Sequence, residues 1–504
     1  MRLNEKEYRD KVLGCWIGKN IGGTFGAPFE WKRQVNNVEF YVQELNGNPL
    51  PNDDLDIQLL WLAAMEQQGV GISTNALAEY WCNFVTPHWA EYGTGKINMR
   101  SGLQPPLCGT FGNAYKHSCG AYIRSEIWAC ISPGLPQVAA KLACKDAILD
   151  HGDGEGSYAE IFMAALESAA FVEKDLYKLI DIGLSYIPKD CGVTKAVTTT
   201  LQCIKSGKTW QETREEVLKL HRGGMIMFPV CDEDRRKGFH EGVIGYDVPS
   251  NIAFTLAGLL YGGDDFGKVQ CIAVNCGEDT DCTAATAGSI WGIIHGAKAI
   301  PQKWMDPIGR GILTIVLNLG DIGWAIPKDV DNLTDRTVKL AKQNLLINNS
   351  DAICSTVATD LSDLEISSLK CHDNGKDLIE RMRMPAFDFE LFTVFVDYGD
   401  APVIKPGVPK RITVKMVHAR SFQANLSFHW YLPEGWTVTP SADAYALSIP
   451  VHLGGKPLSL DFEFNSGKLA KSMNRAALEI TIEGRPTVML VPITLLNGSV
   501  PGSK

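Results

Sequence analysis

Val274-Asn275-Cys276-Gly277-Glu278-Asp279-Thr280-Asp281-Cys282 runs directly into Thr283-Ala284-Ala285-Thr286-Ala287-Gly288-Ser289. The second half of this stretch decides the fold. Its residues are small at almost every position, and a helix with so little side chain lets a neighbouring backbone approach closely. Such a helix belongs at the centre of a helical bundle rather than on its surface. The first half adds chemistry. Asp279 and Asp281 are spaced i, i+2 in a turn, so their side chains can point to the same side. Gly277 permits an unusual backbone there, and the helix start beyond Cys282 offers free amides.

A second acidic cluster lies far away in the chain. Asn52-Asp53-Asp54-Leu55-Asp56 leads into Ile57-Gln58-Leu59-Leu60-Trp61. Aspartates before a helix act as N-caps worth about 1 kcal/mol, and one or two of these acids are explained that way. Three within four positions, before so apolar a helix, open a metal-binding reading beside the capping one. Crowded carboxylates repel unless protons or cations neutralise them. Hard oxygen ligands suit Mg²⁺, Mn²⁺ or Ca²⁺. If the fold joins the clusters, they can hold two ions about 3.5–4 Å apart and orient a substrate diol and a water.

Working outward, residues 1–345 read as an all-α orthogonal bundle with period-3.6 patterns and glycine punctuation. Helices are expected over Asp54 to Met65, Val138 to Ile148, Tyr158 to Val172, Asn251 to Leu260 and Ala284 to Gly292. A polar linker with one short helix is expected over 346–385. From 386 to 504 the pattern alternates in strand fashion, beginning with Phe389-Glu390-Leu391-Phe392-Thr393-Val394-Phe395-Val396. About seven strands, separated by turns such as Pro406-Gly407 and Pro433-Glu434-Gly435, fit an immunoglobulin-like β-sandwich. Trp430 reads as its core.

At 504 residues the chain is too long for one ordinary core, so more than one domain is expected. A formal net charge of −10 argues against a nucleic-acid scaffold, which normally presents a basic face. The charged start Met1-Arg2-Leu3-Asn4-Glu5-Lys6 lacks a signal-peptide core, and no stretch is apolar enough to span a bilayer. The 14 cysteines include no CxxC pair and suggest reduced thiols in a cytoplasmic setting.

Several motifs occur in an order that resembles the ADP-ribosylglycohydrolase family over residues 8–340. Gly14-Cys15-Trp16-Ile17-Gly18-Lys19-Asn20-Ile21-Gly22-Gly23-Thr24-Phe25-Gly26-Ala27-Pro28-Phe29-Glu30 is similar to the family's opening helix, glycine-rich turn and acid. Asn52-Asp53-Asp54 stands where the family has Thr-Asp-Asp. Gly109-Thr110-Phe111-Gly112-Asn113 resembles its Gly-Ser-Tyr-Gly-Asn loop, and Ala121-Tyr122-Ile123-Arg124 its small-x-Met-Arg stretch. His151 matches a substrate-pocket histidine, and Val274 to Asp281 the Val-Asn-x-Gly-Gly-Asp-x-Asp block.

The resemblance implies a dinuclear Mg²⁺ or Mn²⁺ centre and hydrolysis of the glycosidic bond at C1″ of an ADP-ribose conjugate, on a protein or a small molecule. It implies metal ligands at Asn52, Asp53, Asp54, Asp279, Asp281 and Cys282, with Glu30, Asp54 and Asp279 as catalytic residues. It implies substrate contacts from Gly109, Thr110, Phe111, Gly112, Asn113, Arg124 and His151. Two positions depart from the pattern, since Asn52 and Cys282 replace hydroxyl residues. Asp56 is either a compensating ligand or an outward acid, and Thr283 or a water can stand in for Cys282. Residues 115–120 look like an insertion in the substrate loop, and Asn98 lies where some members carry a further acid.

Other residues have plainer readings. His221-Arg222-Gly223-Gly224 and Cys231-Asp232-Glu233-Asp234 read as loops, Asp264-Asp265 as a helix start, and His295 as a packed core histidine. Trp81 and Trp89 either pack or stack on an adenine. Two rival functions remain beside the first: the same chemistry on another ribosyl or nucleoside-like compound, and an ADP-ribose binding module without catalysis. The β-sandwich is expected to be accessory, shielding the pocket or mediating self-association.

Overall fold

The computed structural model describes residues 1–222, 246–348, 352–373, 375–468, 470–485 and 488–498. Gly223, Gly224 and the Cys231 to Asp234 loop lie outside them. Helix α1 (Glu5–Gly26) is the axis of the helical part. It starts at Asn4, whose side chain accepts the backbone N–H groups of Lys6 and Glu7, an ordinary N-cap. From Val12 to Gly26 every residue is buried, so the helix has no solvent face at all.

The helix Thr280–His295 packs along it with almost no side chain between them. Gly14, Gly18, Gly22 and Gly26 recur every fourth residue and form one stripe on α1. Gly292, Gly288, Ala284 and Thr280 meet them in reverse order, so the two helices run antiparallel. A Cβ on Gly18 would lie 2.1 Å from the Gly288 carbonyl oxygen, and one on Gly22 2.2 Å from that of Ala284. At Gly14 and Gly26 the corresponding oxygens, of Gly292 and Thr280, are 2.5 and 2.3 Å away. The small-residue run therefore does what its composition predicts and sits at the centre.

Helix α2 (Asp53–Gln68) is capped by Asn52 and buried from Asp54 to Met65. The other expected helices appear as Pro136–Ala147, Glu155–Ala170 and Val248–Gly262. Asp265 caps the helix Phe266–Asn275 through the Lys268 N–H, as a helix start should. His295 differs from expectation. It ends its helix half-buried, its ring stacked 4.2 Å from that of Trp291 and its Nε2 3.7 Å from Asp264. Among the described residues, no helix is long and apolar enough to cross a membrane. Every described cysteine is free.

The segment after Asn348 packs back on the helices. Strand β2 (Ile353–Ser355) pairs in parallel with β1 (Arg2–Asn4), and Leu369, Leu378 and Met382 join the helical core. A short helix, Lys376–Arg383, precedes the strands. Ten strands follow, in two five-stranded sheets. They are β3 (Ala386–Asp388), β4 (Phe392–Asp397), β5 (Val403–Ile404), β6 (Lys410–His418) and β7 (Ala424–Tyr431). The rest are β8 (Thr437–Thr439), β9 (Asp443–Ser448), β10 (Leu458–Asn465), β11 (Met473–Ile482) and β12 (Val488–Asn497).

One sheet has the order β3-β4-β6-β10-β8 and the other β5-β12-β11-β7-β9. This is the immunoglobulin-like arrangement, with β5 running parallel to β12 at the edge. The three strands beyond the expected seven are only two or three residues long, too short for alternation to reveal them. Trp430 on β7 is buried against the rings of Phe462 and Phe464 on β10, filling the inter-sheet space that has no cysteine. Gly102 of the helical part abuts Met473 and Thr494, so the sandwich leans on the helices.

Gly18→Ala and Gly288→Ala should each destabilise the protein by about 1–3 kcal/mol or more, because backbone cannot yield as a side chain does. Gly71 has open space around its Cβ position, so Gly71→Ala should leave the thermal midpoint almost unchanged. Thermal denaturation of the three variants checks both statements.

Candidate active site

The close helix pair carries the two acidic segments to one place. Beyond Gly26 the chain turns through Ala27–Phe29 and delivers Glu30 beside the start of the Thr280–His295 helix. Residues 31–34 then pair with the turn before that helix. The Trp31 N–H donates to the Glu278 carbonyl at 2.8 Å, and the Glu278 N–H donates to the Lys32 carbonyl at 3.1 Å. Gly277 takes φ 71°, and a Cβ there would meet the Gln34 carbonyl oxygen at 2.1 Å. That is the physical reason for glycine in the turn.

Ligand atoms of Glu30, Asp279 and Asp281 lie within 4.8 Å of one another, as do those of Asp54, Asp281 and Cys282. Asp281 belongs to both groups and joins them. Asp53, on the first turn of α2, accepts a hydrogen bond from the Tyr92 hydroxyl at 2.9 Å. Asp54 Oδ2, Asp279 Oδ1 and Asp281 Oδ1 are buried and have no hydrogen-bond partner. Orphaned buried carboxylate oxygens are costly unless a proton or cation meets them.

The electrostatics follow from this crowding. Burial, then Asp53 and Asp54, push the Glu30 carboxyl up to about 8. Asp279 is raised well above the carboxylate range by burial, then by Asp281 and Glu30. Burial, then Glu30 and Asp53, do the same to Asp281. Asp54 is also raised by burial, against the pull of Lys19. Burial pulls the Lys19 ammonium down, but Glu126 and Asp54 outweigh it and hold it above its ordinary value. Its Nζ lies 2.8 Å from Glu126 and 3.6 Å from Asp54. One cation does not balance this many acids. The donor set of hard oxygens with unmet lone pairs therefore fits Mg²⁺ or Mn²⁺.

Asn52 and Cys282 present hydrogens, not lone pairs. Asn52 uses its carbonyl to accept the Asp54 N–H at 2.7 Å, and its amide nitrogen faces Asp281 at 3.4 Å. Burial and Asp279 hold the Cys282 thiol well above its ordinary value, and the thiol donates to Asp54 Oδ1 at 3.5 Å. Both donate to the aspartates, Asn52 from outside the cavity lining and Cys282 from within it. Thr283 turns its hydroxyl to the Thr280 carbonyl. Asp56 is not an outward acid, and its Oδ1 has no hydrogen-bond partner. It is fully buried and accepts the N–H groups of Ile315 and Val316 at 2.6 and 2.8 Å, pinning that loop. Burial, against those two bonds, lifts its carboxyl to about 7.

The acids open into a cavity of about 310 Å³. Glu30, Asp53, Asp279 and Asp281 line its floor, and Trp31, Trp89, Tyr92 and Tyr246 line its sides. The remaining wall is Ser118-Cys119-Gly120 with Ile123. None of Gly109, Thr110, Phe111, Gly112 or Asn113 reaches it. A Cβ on Gly109 would strike the Gly152 nitrogen at 2.4 Å, and Asn113 donates to the Gly109 and Asp150 carbonyls, so this loop packs against the turn at 148–152. Asn98 donates to the Cys108 and Phe111 carbonyls and belongs to the same packing.

Arg124 and His151 also sit behind the wall. Arg124 is fully buried, bonded to Asp146, to Asp150 and to the Gly120 carbonyl. His151 lies between Asp150 Oδ1 at 2.8 Å and Ser118 Oγ at 3.0 Å. Both hold the 118–120 wall in place rather than line the cavity. Trp81 is buried beneath the Arg124 guanidinium at 4.9 Å, whereas Trp89 faces the cavity.

One lining acid escaped the reading of the sequence. Glu91, in the first turn of the helix Ala90–Arg100, is buried, and its Oε2 has no hydrogen-bond partner. Burial raises its carboxyl to about 7, His151 opposing and Asp150 assisting. A Cβ on Gly120 would meet Glu91 Oε1 at 2.1 Å, so that glycine makes room for it. The local signal is an acid set between Trp89 and Tyr92 at a helix start.

A family model described as ADP-ribosylglycohydrolase matches residues 4–344. Over 49 residues the chain is 37% identical to "ADP-ribosylarginine hydrolase Tri1" of Serratia proteamaculans (strain 568), a stretch that is 10% of this chain and 13% of that relative. A solved structure described as an ADP-ribosylglycohydrolase-related protein complex covers 67% of this chain and 99% of its own, with 18% identity and a TM-score of 0.44. A FixG-related protein from Vibrio parahaemolyticus covers 23% of this chain and 98% of its own, with 13% identity and a TM-score of 0.17.

The raised carboxyls bind protons more tightly in the folded chain than in the unfolded one. Without a cation, stability should therefore fall as pH rises from the carboxylate range toward about 8, where Glu30 loses its proton. Mg²⁺ or Mn²⁺ should oppose that fall, with the largest rise in thermal midpoint at the alkaline end. In Asp279→Asn the cation-dependent rise should disappear. Thermal scans across pH, with and without the metal, check this.

Proposed function

The chain belongs to the ADP-ribosylglycohydrolase family, and from that premise we propose that it hydrolyses the C1″ glycosidic bond of ADP-ribose conjugates with two divalent cations, Mg²⁺ or Mn²⁺. The observation that carries this reading is the convergence of Glu30, Asp54, Asp279 and Asp281 with three buried oxygens left unmet. Asp53, Asp54, Asp279 and Asp281 are the proposed ligands. Bound there, the cations would neutralise the acids and lend Lewis acidity to the ribose hydroxyls and to a water.

The chain's own groups supply the rest. Glu30 is the proposed base, taking a proton from the water whose oxygen forms the new bond to C1″. Glu91 is the proposed acid, passing its proton to a neutral leaving atom as the old bond breaks. Tyr92 holds Asp53 in orientation, and Asn52 and Cys282 hold Asp281 and Asp54. The name of the Serratia relative supports an arginine-linked conjugate as the first substrate to assay.

The position of residues 109–113 behind the cavity wall favours a second reading, in which a smaller ribosyl or nucleoside-like compound is cleaved by the same groups. Hydrolysis assays with ADP-ribosylated arginine, ADP-ribosylated serine and a nucleoside panel in Mg²⁺ separate the two. Glu30→Gln, Asp54→Asn and Asp279→Asn should each lower kcat by about 10²-fold or more on the true substrate. Glu91→Gln should lower it most for poor leaving groups. Binding of ADP-ribose with no turnover in any assay would leave only the non-catalytic module.

A further inference from the structure

Two tryptophans line the cavity, and each sits at a costly backbone corner. Trp31 adopts φ 62°, in the left-handed region that bulky side chains avoid. The bond from its N–H to the Glu278 carbonyl, with the Glu278 N–H donating to the Lys32 carbonyl, holds it there, and Glu278 itself takes φ 66°. Trp89 is followed by Ala90 at φ 33°. The next glycine, Gly93, has no room for a Cβ, which would lie 2.4 Å from the His88 carbonyl oxygen. Strain at non-glycine residues persists where the surroundings over-determine it, and it collects at ligand sites.

Both indoles remain half in the open, 53% exposed at Trp31 and 52% at Trp89. Each is supported by a tyrosine. The ring centroids of Trp31 and Tyr246 are 6.0 Å apart, and those of Trp89 and Tyr92 are 6.4 Å apart with the rings nearly parallel. Supported aromatic rings beside carboxylates make a particular kind of surface. Indole faces attract flat π-systems and cations.

We propose that Trp31 and Trp89 decide the specificity of this site by selecting a planar, positively charged leaving group on C1″, either a guanidinium or an N-ribosylated pyridinium. The proposal rests on the reading of the site as a ribosyl hydrolase. In the step itself, water oxygen bonds to C1″ and gives its proton to Glu30. The electron pair of the C1″–N bond stays on the leaving nitrogen, which departs without its positive charge. Such a group needs no proton from Glu91 to leave.

The test uses the full chain in Mg²⁺ with three substrates: ADP-ribosylated arginine, an N-ribosyl pyridinium and ADP-ribosylated serine. Wild type should prefer the two planar cations in kcat/KM by about tenfold or more. Trp31→Leu and Trp89→Leu should erase that preference by lowering kcat/KM for the two planar cations about tenfold more than for the serine substrate, and Trp31→Phe should retain it. No preference in wild type, or equal losses on all three substrates, overturns the proposal. If wild type cleaves none of them, the hydrolase reading fails, and binding decides the clamp. N-methylpyridinium should then quench tryptophan fluorescence in wild type and in Trp324→Leu, whose indole is 79% exposed and outside the cavity. Quenching that is absent, or unchanged in the two cavity variants, overturns it.

Discussion

Backbone touching backbone along α1 and the Thr280–His295 helix is the constraint on which everything else depends. Four consecutive turns of α1 offer a hydrogen where other residues have a side chain, and the opposing helix answers with glycine, alanine or threonine. The contact fixes both the separation and the axial register of the pair. Glu30 leaves one end of α1, and Asp279 and Asp281 open the other helix at that same end. A shift of one turn, about 5.4 Å, would part Glu30 from the two aspartates. The geometry of the acid cluster is thus set by residues that carry no charge at all.

Around that axis the protein handles charge unevenly. Arg124 is saturated with carboxylates, and its network stiffens the 118–120 wall. Lys19 is shared between Glu126 and Asp54, with Gln58 bridging Glu126 to the backbone at Ile123. The remaining acids face the cavity without cations of their own. A densely bonded network behind and a sparsely bonded one in front is the arrangement expected where a rigid scaffold presents a ligand site. Asn52 and Cys282 each donate a hydrogen bond to one of these acids.

Much of this was legible in the sequence, for physical reasons. The helices announced themselves through periodicity, and the small-residue run announced a central position because only close packing needs it. The two acid pairs stood out because unneutralised charge is expensive wherever it is buried. What stayed hidden depended on tertiary approach. Gly109 and Gly112 looked like a ligand-cradling loop, yet the steric need at Gly109 comes from the 148–152 turn. Arg124 and His151 carry the right chemistry but face inward, one shell too deep. Glu91 has no flanking signature, and its burial is created by Gly120, a residue 29 positions away. Strands of two or three residues, such as β5 and β8, are too short to show a period.

The partners in the central contact are also far apart in the chain. Gly18 meets Gly288 and Gly22 meets Ala284, so the loop they close spans more than half of the sequence. Contacts of such separation form late, after a large loss of chain entropy. As the chain leaves the ribosome, α1 emerges long before the Thr280–His295 helix, with an apolar, side-chain-poor stripe and no partner to cover it. It stays uncovered until residue 295 has been synthesised, and during that interval it is a surface for chaperones or for another nascent copy. The groove that makes the finished molecule tight makes its birth hazardous.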